Sequence, residues 1–248
     1  MKNFTIDNNK GRIEFLDARF YNTENGFVPS VTTILEAYPK DASYFKWLKD
    51  VGSDADTIRD EAGRRGSIVH ELTEQYDSGI ECSFISEQGF PKYKMLEWSM
   101  FERYVDFIQT HKPTIESMEL NMVSESLGYA GTLDRVIMMN GKSMLLDIKT
   151  SNSIYPSYWL QLSAYNELLK TIDIKVESVG ILWLNAKTRT TGKNGAIQGI
   201  GWQLITKTMA EVKNDLKLFE ATHKLWLSLN EDVKPKQISY QLKYQKNG

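Results

Sequence analysis

The spacing of hydrophobic and polar positions changes character several times along the chain, and each change marks an element. Two short strand-like runs, 12–16 and 18–21, precede the turn signal Asn25-Gly26, so the N-terminal stretch reads as a hairpin-like β region. Pro29-Ser30 then leads into a short apolar segment, 31–38, closed by Pro39. Over 56–76 the residues Ile58, Ala62, Val69 and Leu72 recur at helical spacing and predict a helix ended by Ser78-Gly79. Gly63 and Gly66 each cost that helix about 1 kcal/mol relative to alanine, so they are read as places of close backbone approach or a bend. A second helix is predicted over 92–110, with Leu96, Phe101, Tyr104, Val105 and Ile108 near one face and Pro113 beyond its end.

From Ile115 the period is that of strands and stays so to about Thr150. Ser157, after Pro156, is expected to cap a helix reaching Lys170. Runs 178–185 and 200–206 predict two further strands around a loop that holds Lys187, Arg189, Gly192, Lys193 and Gly195. An amphipathic helix follows over 209–229. In the polar tail Ile238, Tyr240, Leu242 and Tyr244 alternate, as an added edge strand or as nothing ordered. The expectation is an α/β fold, a central mixed β-sheet flanked by helices with an N-terminal β-hairpin and helical extension. One domain is expected over 1–248: an extension to 55, a core over 56–206, and a C-terminal helix and tail from 207.

Composition narrows the function classes. A single cysteine, Cys82, leaves no intrachain disulfide and no multi-cysteine zinc or iron–sulfur site, and it fits a reducing compartment. The first ten residues are polar, without the apolar centre of a secretory signal, and no run reaches the length of a membrane span. A cytoplasmic protein is therefore expected, with no membrane partner. The net charge of −2 and a pI near 6.0 exclude coating of nucleic acid by bulk charge. They leave room for a local basic groove beside an acidic site.

The most informative segment is 131–150. Asn140-Gly141 between two strand-like runs is a strong hairpin signal, because both residues tolerate the positive φ of a type I′ turn. A two-residue loop there pairs Met139 with Lys142 and places Asp134 directly opposite Asp147, with β-carbons about 4.5–5.5 Å apart. Lys149, two residues beyond Asp147, points to the same face. Opposed carboxylates destabilise a sheet unless a cation neutralises them, and hard oxygen ligands suit magnesium or manganese. A neighbouring lysine can orient an attacking water or stabilise charge on a phosphate. The plainer alternative is a solvated sheet face with Asp134 paired to Arg135 or Lys149.

Gly131-Thr-Leu-Asp134, Leu146-Asp147-Ile-Lys149-Thr-Ser and Gln161-Leu-Ser-Ala-Tyr165 resemble the core motifs of the PD-(D/E)XK nuclease superfamily. They are most similar to its RecB-like branch, which includes phage exonucleases and the mitochondrial genome-maintenance exonuclease. Arg64-Arg65-Gly66-Ser67-Ile-Val-His70 is similar to the helix that carries the branch's metal-binding histidine, and Val28-Pro-Ser-Val-Thr-Thr-Ile-Leu35 to the segment that leads into the fold. The resemblance spans about residues 28–165 in the family's order. It implies a restriction-endonuclease-like core and hydrolysis of DNA phosphodiesters with one or two Mg2+ or Mn2+ ions. It implies that Asp134, Asp147, His70 and the Ile148 carbonyl ligate the metal. Lys149 would position or activate the attacking water, with Gln161 and Tyr165, one helical turn apart, supporting it. The four cysteines that some relatives use for an iron–sulfur cluster are absent, Leu133 replaces the proline before Asp134, and any unwinding is expected to come from elsewhere than a helicase domain of this chain.

DNA ends, single-stranded or frayed, are the substrate the resemblance implies, in phage replication, recombination or repair, with a helicase or recombinase as possible partner. For a phage protein the compartment is the host cytoplasm. A structure-specific endonuclease of the same superfamily and a DNA-end-binding module without catalysis are the alternatives. Arg64 and Arg65 are candidate DNA contacts or simply solvated. Glu119 or Glu125 is a candidate extra ligand, Glu119 matching the family position better. His111 and His223 are read as surface residues. Tyr155, Tyr158 and Trp159 are candidate platforms for unpaired bases. The 187–193 loop reads as a flexible hairpin tip, with a DNA-contacting arm as the alternative.

Overall fold

Asn140 and Gly141 have φ of 53° and 74°, the positive values that a type I′ turn requires at both central positions. The hairpin they close joins β6 (Tyr129–Met139) to β7 (Lys142–Lys149), in the middle of the molecule's main sheet. The computed structural model describes residues 5–7, 12–15, 18–186, 190–191, 197–198 and 201–231. Among these, β5 (Thr114–Ser124), β6, β7, β8 (Ser178–Trp183) and β11 (Gln203–Thr208) form a five-stranded sheet in the order β11-β8-β7-β6-β5. β7 and β8 run parallel and the other pairs antiparallel, so the sheet is mixed. The parallel pair is linked by a helical crossover, α5 (Pro156–Lys170), as parallel neighbours require.

Helices cover both faces. α5 and α6 (Met209–Leu229) bury Leu133, Val136, Leu145, Val179, Ile181 and Phe219 on one side. On the other, α3 (Ala55–Asp77) and α4 (Met95–His111) enclose Ile137, Leu146, Ile148 and Leu182 with Val69, Met100, Tyr104 and Phe107. β7 is consequently buried from Ser143 to Ile148, which places any charged residue in that run in a desolvated setting. This is the expected α/β architecture, a mixed sheet flanked by helices as in a restriction-endonuclease-like core.

The N-terminal region goes beyond one hairpin: β1 (Thr5–Asp7), β2 (Arg12–Phe15), β3 (Ala18–Thr23) and β4 (Gly26–Pro29) form an antiparallel meander. Ser30 bridges to Ala130 of β6 and its hydroxyl accepts from the Thr33 N–H, which starts α1 (Val31–Ile34). Buried Phe20 packs against Trp226 of α6 and fixes this meander to the helical layer. The pattern reading passes over α2 (Ala42–Val51), which Asp41 caps and which buries none of its residues.

Several local expectations change. Tyr155, not Ser157, is the N-cap of α5, and Pro156 takes the first helical position, where its missing N–H is no loss. The strand expected over 200–206 lies at Gln203–Thr208. α3 runs through Gly63 and Gly66 without interruption: a β-carbon at Gly63 would meet nothing within 4 Å, and one at Gly66 only ordinary contact with Thr150 Oγ1 at 3.5 Å. Neither glycine is there for close approach. Lys187, Arg189, Gly192, Lys193 and Gly195 lie outside the described residues, as does the alternating 238–244 stretch. The short strands β9 (Thr190–Thr191) and β10 (Ile197–Gln198) pair antiparallel between them. No helix among the described residues is long and apolar enough to cross a membrane.

Candidate metal centre

The β6–β7 ladder pairs Met139 with Lys142 and continues, one partner at a time, to Arg135 with Leu146. The same register would set Asp134 against Asp147, but the ladder stops one pair short of them. Instead of a strand carbonyl, the Asp134 carboxylate takes the next free amide: Oδ2 accepts from Ile148 N–H at 2.7 Å. On its other side Asp134 lies across from Glu119, between the pairs Met118–Arg135 and Leu120–Leu133. Glu119 has a φ of 48°, a left-handed conformation that costs a residue with a β-carbon about 1–2 kcal/mol. Glu119 and Asp134 thus come together where the pairing is broken, and Asp147 follows on the next strand, outside their cluster of ligand atoms.

His70 reaches this break from α3. Its Nε2 lies 3.0 Å from the Ile148 carbonyl, and its Nδ1 lies 3.4 Å from Asp134 Oδ1. One ligand atom each from His70, Glu119 and Asp134 falls within 4.8 Å of the others. Burial disfavours a charged imidazole, but the Asp134 carboxylate outweighs it and His70 stands above its ordinary pKa. Burial likewise works against Asp134 ionising, and His70 overcomes it, holding the carboxyl at about 2.

Asp147 behaves in the opposite way. It is 2% exposed, and burial, with repulsion from Asp134 added, pushes its pKa up to about 6 against the opposing pull of Lys149. Its Oδ2 stands 2.8 Å from Lys149 Nζ as an ion pair. Lys149 Nζ also donates to Gln161 Oε1 at 3.0 Å and sits over the Tyr158 ring, 4.5 Å from its centre. Burial alone would discharge this amine; Asp147 and Asp134 more than reverse that, and it stays an ammonium. Gln161 Nε2 donates in turn to the Tyr165 hydroxyl at 3.0 Å, so α5 holds the lysine through a two-link chain.

Tyr165 explains the glycine three residues before Asp134. A β-carbon on Gly131 would lie 2.3 Å from Tyr165 Cε1, inside any tolerable contact. We therefore expect Gly131→Ala to destabilise the fold by about 1–3 kcal/mol through overpacking. Thermal melts should show part of that loss recovered in a Gly131→Ala/Tyr165→Leu double variant. Strictly additive losses would mean that the two residues do not compete for space.

The remaining predicted residues divide. Arg65 stands beside the centre, with Nη2 only loosely placed on the Thr150 carbonyl at 3.5 Å and a buried Nε without a hydrogen-bond partner. Arg64 is committed to Glu61 and to the buried Glu97 of α4. Tyr158 is half-buried under Lys149, and Tyr155, 43% exposed, meets it edge-on at 5.5 Å. Trp159 is covered by Lys207. Glu125 is excluded as a ligand: it binds the Asn25 amide and side chain of the N-terminal turn. His111 is exposed, but His223 packs against the rings of Tyr129 and Phe219 instead of lying on the surface. The solvated face on which Arg135 would pair with Asp134 is not found: Arg135 is fully buried beside the centre.

The donor set suits a hard divalent cation: carboxylates, one imidazole and a peptide carbonyl. Neighbouring ligands about 2.1 Å from one such ion stand about 3.0 Å apart, which is the separation of His70 Nε2 and Ile148 O. Asp147 adds a buried carboxylate, ion-paired with Lys149 and repelled by Asp134, that a cation would stabilise further. The residues fit a metal.

No protein-family model and no curated protein matches the chain. Among solved structures, an alkaline exonuclease from Laribacter hongkongensis is similar over 82% of this chain and 91% of its own, at 10% identity and a TM-score of 0.37. Its complex with dAMP is similar over 82% and 92%, at 12% identity and a TM-score of 0.35.

Proposed function

We propose that the chain is a metal-dependent deoxyribonuclease of the PD-(D/E)XK superfamily, RecB-like branch, that hydrolyses DNA from single-stranded or frayed ends. The observation that carries the reading is the convergence of the His70, Glu119 and Asp134 ligand atoms beside the Ile148 carbonyl. Asp147 is buried next to them and ion-paired with Lys149. His70, Glu119 and Asp134, whose ligand atoms converge, would hold Mg2+ or Mn2+ together with the Ile148 carbonyl and Asp147. The bound metal supplies an activated water and polarises the phosphate.

The protein's own groups do the rest. Lys149 is an ammonium with two partners, Asp147 and Gln161, which leaves its third proton for a phosphate oxygen or the attacking water. It orients and stabilises charge; it does not abstract a proton. Gln161 and Tyr165 keep it in place. Arg65, whose Nη2 is only loosely placed on the Thr150 carbonyl, is the arginine that would turn to a backbone phosphate, whereas Arg64 is tied to Glu61 and Glu97. Exposed Tyr155, braced by Tyr158, gives an unpaired base a ring to stack on. The exonucleolytic mode, a phage replication or recombination setting in the host cytoplasm, and a helicase or recombinase partner rest on the resemblance alone.

The test uses end-labelled linear single- and double-stranded DNA and circular single strands, each with Mg2+, Mn2+ or a chelator. Nucleotide release from linear ends with either metal, and none with chelator, is expected. Cleavage of circles would replace the exonuclease by an endonuclease, and DNA binding without cleavage under every condition would leave only an end-binding module.

A further inference from the structure

Arg135 is the bulkiest fully buried side chain among the described residues, and it follows Asp134 directly. Its Nε donates to Asp77 Oδ2 at 2.7 Å, a carboxylate that is itself 2% exposed and that also accepts from Tyr104 of α4 at 2.6 Å. Such an ion pair contributes little stability over an apolar pair of the same volume, because both charges are desolvated. What a guanidinium supplies instead is direction: its donors are fixed in one plane.

Those donors reach every member of the His70–Glu119–Asp134 cluster. Nη1 donates to the Asp134 carbonyl at 2.8 Å and lies 3.4 Å from Glu119 Oε1. Nη2 donates to Thr73 Oγ1 at 3.2 Å, and that hydroxyl donates to the His70 carbonyl at 2.8 Å. One rigid group therefore ties α3, β5 and β6 together at the three residues whose ligand atoms converge. Glu119 has a particular need of it, since its left-handed backbone has to be held by its surroundings.

We propose that Arg135 is a positioning residue that sets the spacing of the His70, Glu119 and Asp134 ligand atoms, so that the affinity for the divalent cation depends on it although it never touches the ion. The inference rests on the metal centre put forward above. Lysine at 135 can keep the pair with Asp77 but cannot span all three branches. Thr73→Val, nearly the same shape, cuts only the branch to His70.

The experiment is calorimetric titration of the full chain with Mn2+ alone, beside the metal dependence of cleavage. Arg135→Lys is expected to weaken Mn2+ binding by about 10-fold or more, the range seen when groups behind metal ligands are removed. Thr73→Val is expected to weaken it roughly fivefold, the worth of one hydrogen bond. Both variants should recover most of the cleavage rate at high Mn2+. Phe107→Leu, a core change on the same face outside the network, should lower thermal stability and leave Mn2+ affinity as it is. If Arg135→Lys does not fold, Thr73→Val alone decides the matter. Wild-type Mn2+ affinity in the folded variants overturns the positioning role while the metal centre stands. Absence of Mn2+ binding in the wild-type chain overturns both.

Discussion

Replacing Lys149 with alanine is expected to lower single-turnover cleavage by about 10²–10³-fold at saturating metal, the usual cost of one preorganised electrostatic donor. DNA affinity should change only a few-fold, because a single phosphate contact is one among several along the strand. The argument rests on how the amine is held. Its two neighbours, Asp147 Oδ2 at 2.8 Å and Gln161 Oε1 at 3.0 Å, fix it before substrate arrives, and Tyr158 closes off one side. A preformed cation of this kind need not reorganise when charge develops on phosphate. Gln161→Ala should act in the same direction and less strongly, since Asp147 would still restrain the ammonium. Fluorescence anisotropy and quenched-flow cleavage on the same labelled strand separate binding from chemistry. A rate within threefold of wild type in Lys149→Ala would remove the lysine from the mechanism.

Asp147→Asn is expected to stabilise the metal-free protein at neutral pH while ending metal binding and cleavage. The carboxyl titrates at about 6 in the folded chain against an ordinary 3.8. Each pH unit between those values is worth about 1.4 kcal/mol, so ionising Asp147 costs the folded state on the order of 2–3 kcal/mol. The folded chain keeps a proton that the unfolded chain releases, so this part of the stability falls as the pH rises from about 4 to about 6 and is flat above. Asp134 runs the other way: held at about 2, it contributes stability that is lost as the pH falls from about 4 towards 2. In a chelator-containing buffer at pH 7.5, Asp147→Asn should melt about 5–10 °C higher than wild type. At pH 4 the two should nearly coincide. Mg2+ or Mn2+ should then raise the wild-type melting point and leave the variant's unchanged. Equal melting points at pH 7.5 without metal would show that Asp147 is not paying for its burial.

The hairpin at the heart of the centre is legible in the sequence because Asn140-Gly141 admits one turn geometry, and that turn fixes the register over five pairs. The helix bearing His70 and the pair Gln161–Tyr165 are legible for a similar reason: periodicity places them on single faces. The break in the ladder is not, because it depends on a side chain outcompeting a strand carbonyl for the Ile148 amide. Nor is the left-handed turn at Glu119, a residue type that gives no hint of positive φ. Arg135 is hidden for another reason. In the run Leu-Asp-Arg-Val-Ile a charged residue reads as a solvent position, and only its partners Asp77 and Thr73, some sixty residues away, make burial possible. α2 leaves little trace in the pattern of apolar positions, because it has no face that becomes buried.

Ile148 is gripped at both ends of its peptide unit: Asp134 holds its N–H and His70 its carbonyl. The centre therefore depends on a residue whose side chain takes no part in it, and that side chain merely fills the α3–α4 side of the sheet. A motif spelled in side-chain letters records an arbitrary character at this place. Valine keeps both bonds and most of the packing, whereas proline has no hydrogen to give Asp134 and breaks the centre even though it is apolar. The information at position 148 is grammatical rather than lexical, carried by the backbone and by where the strand pairing ends.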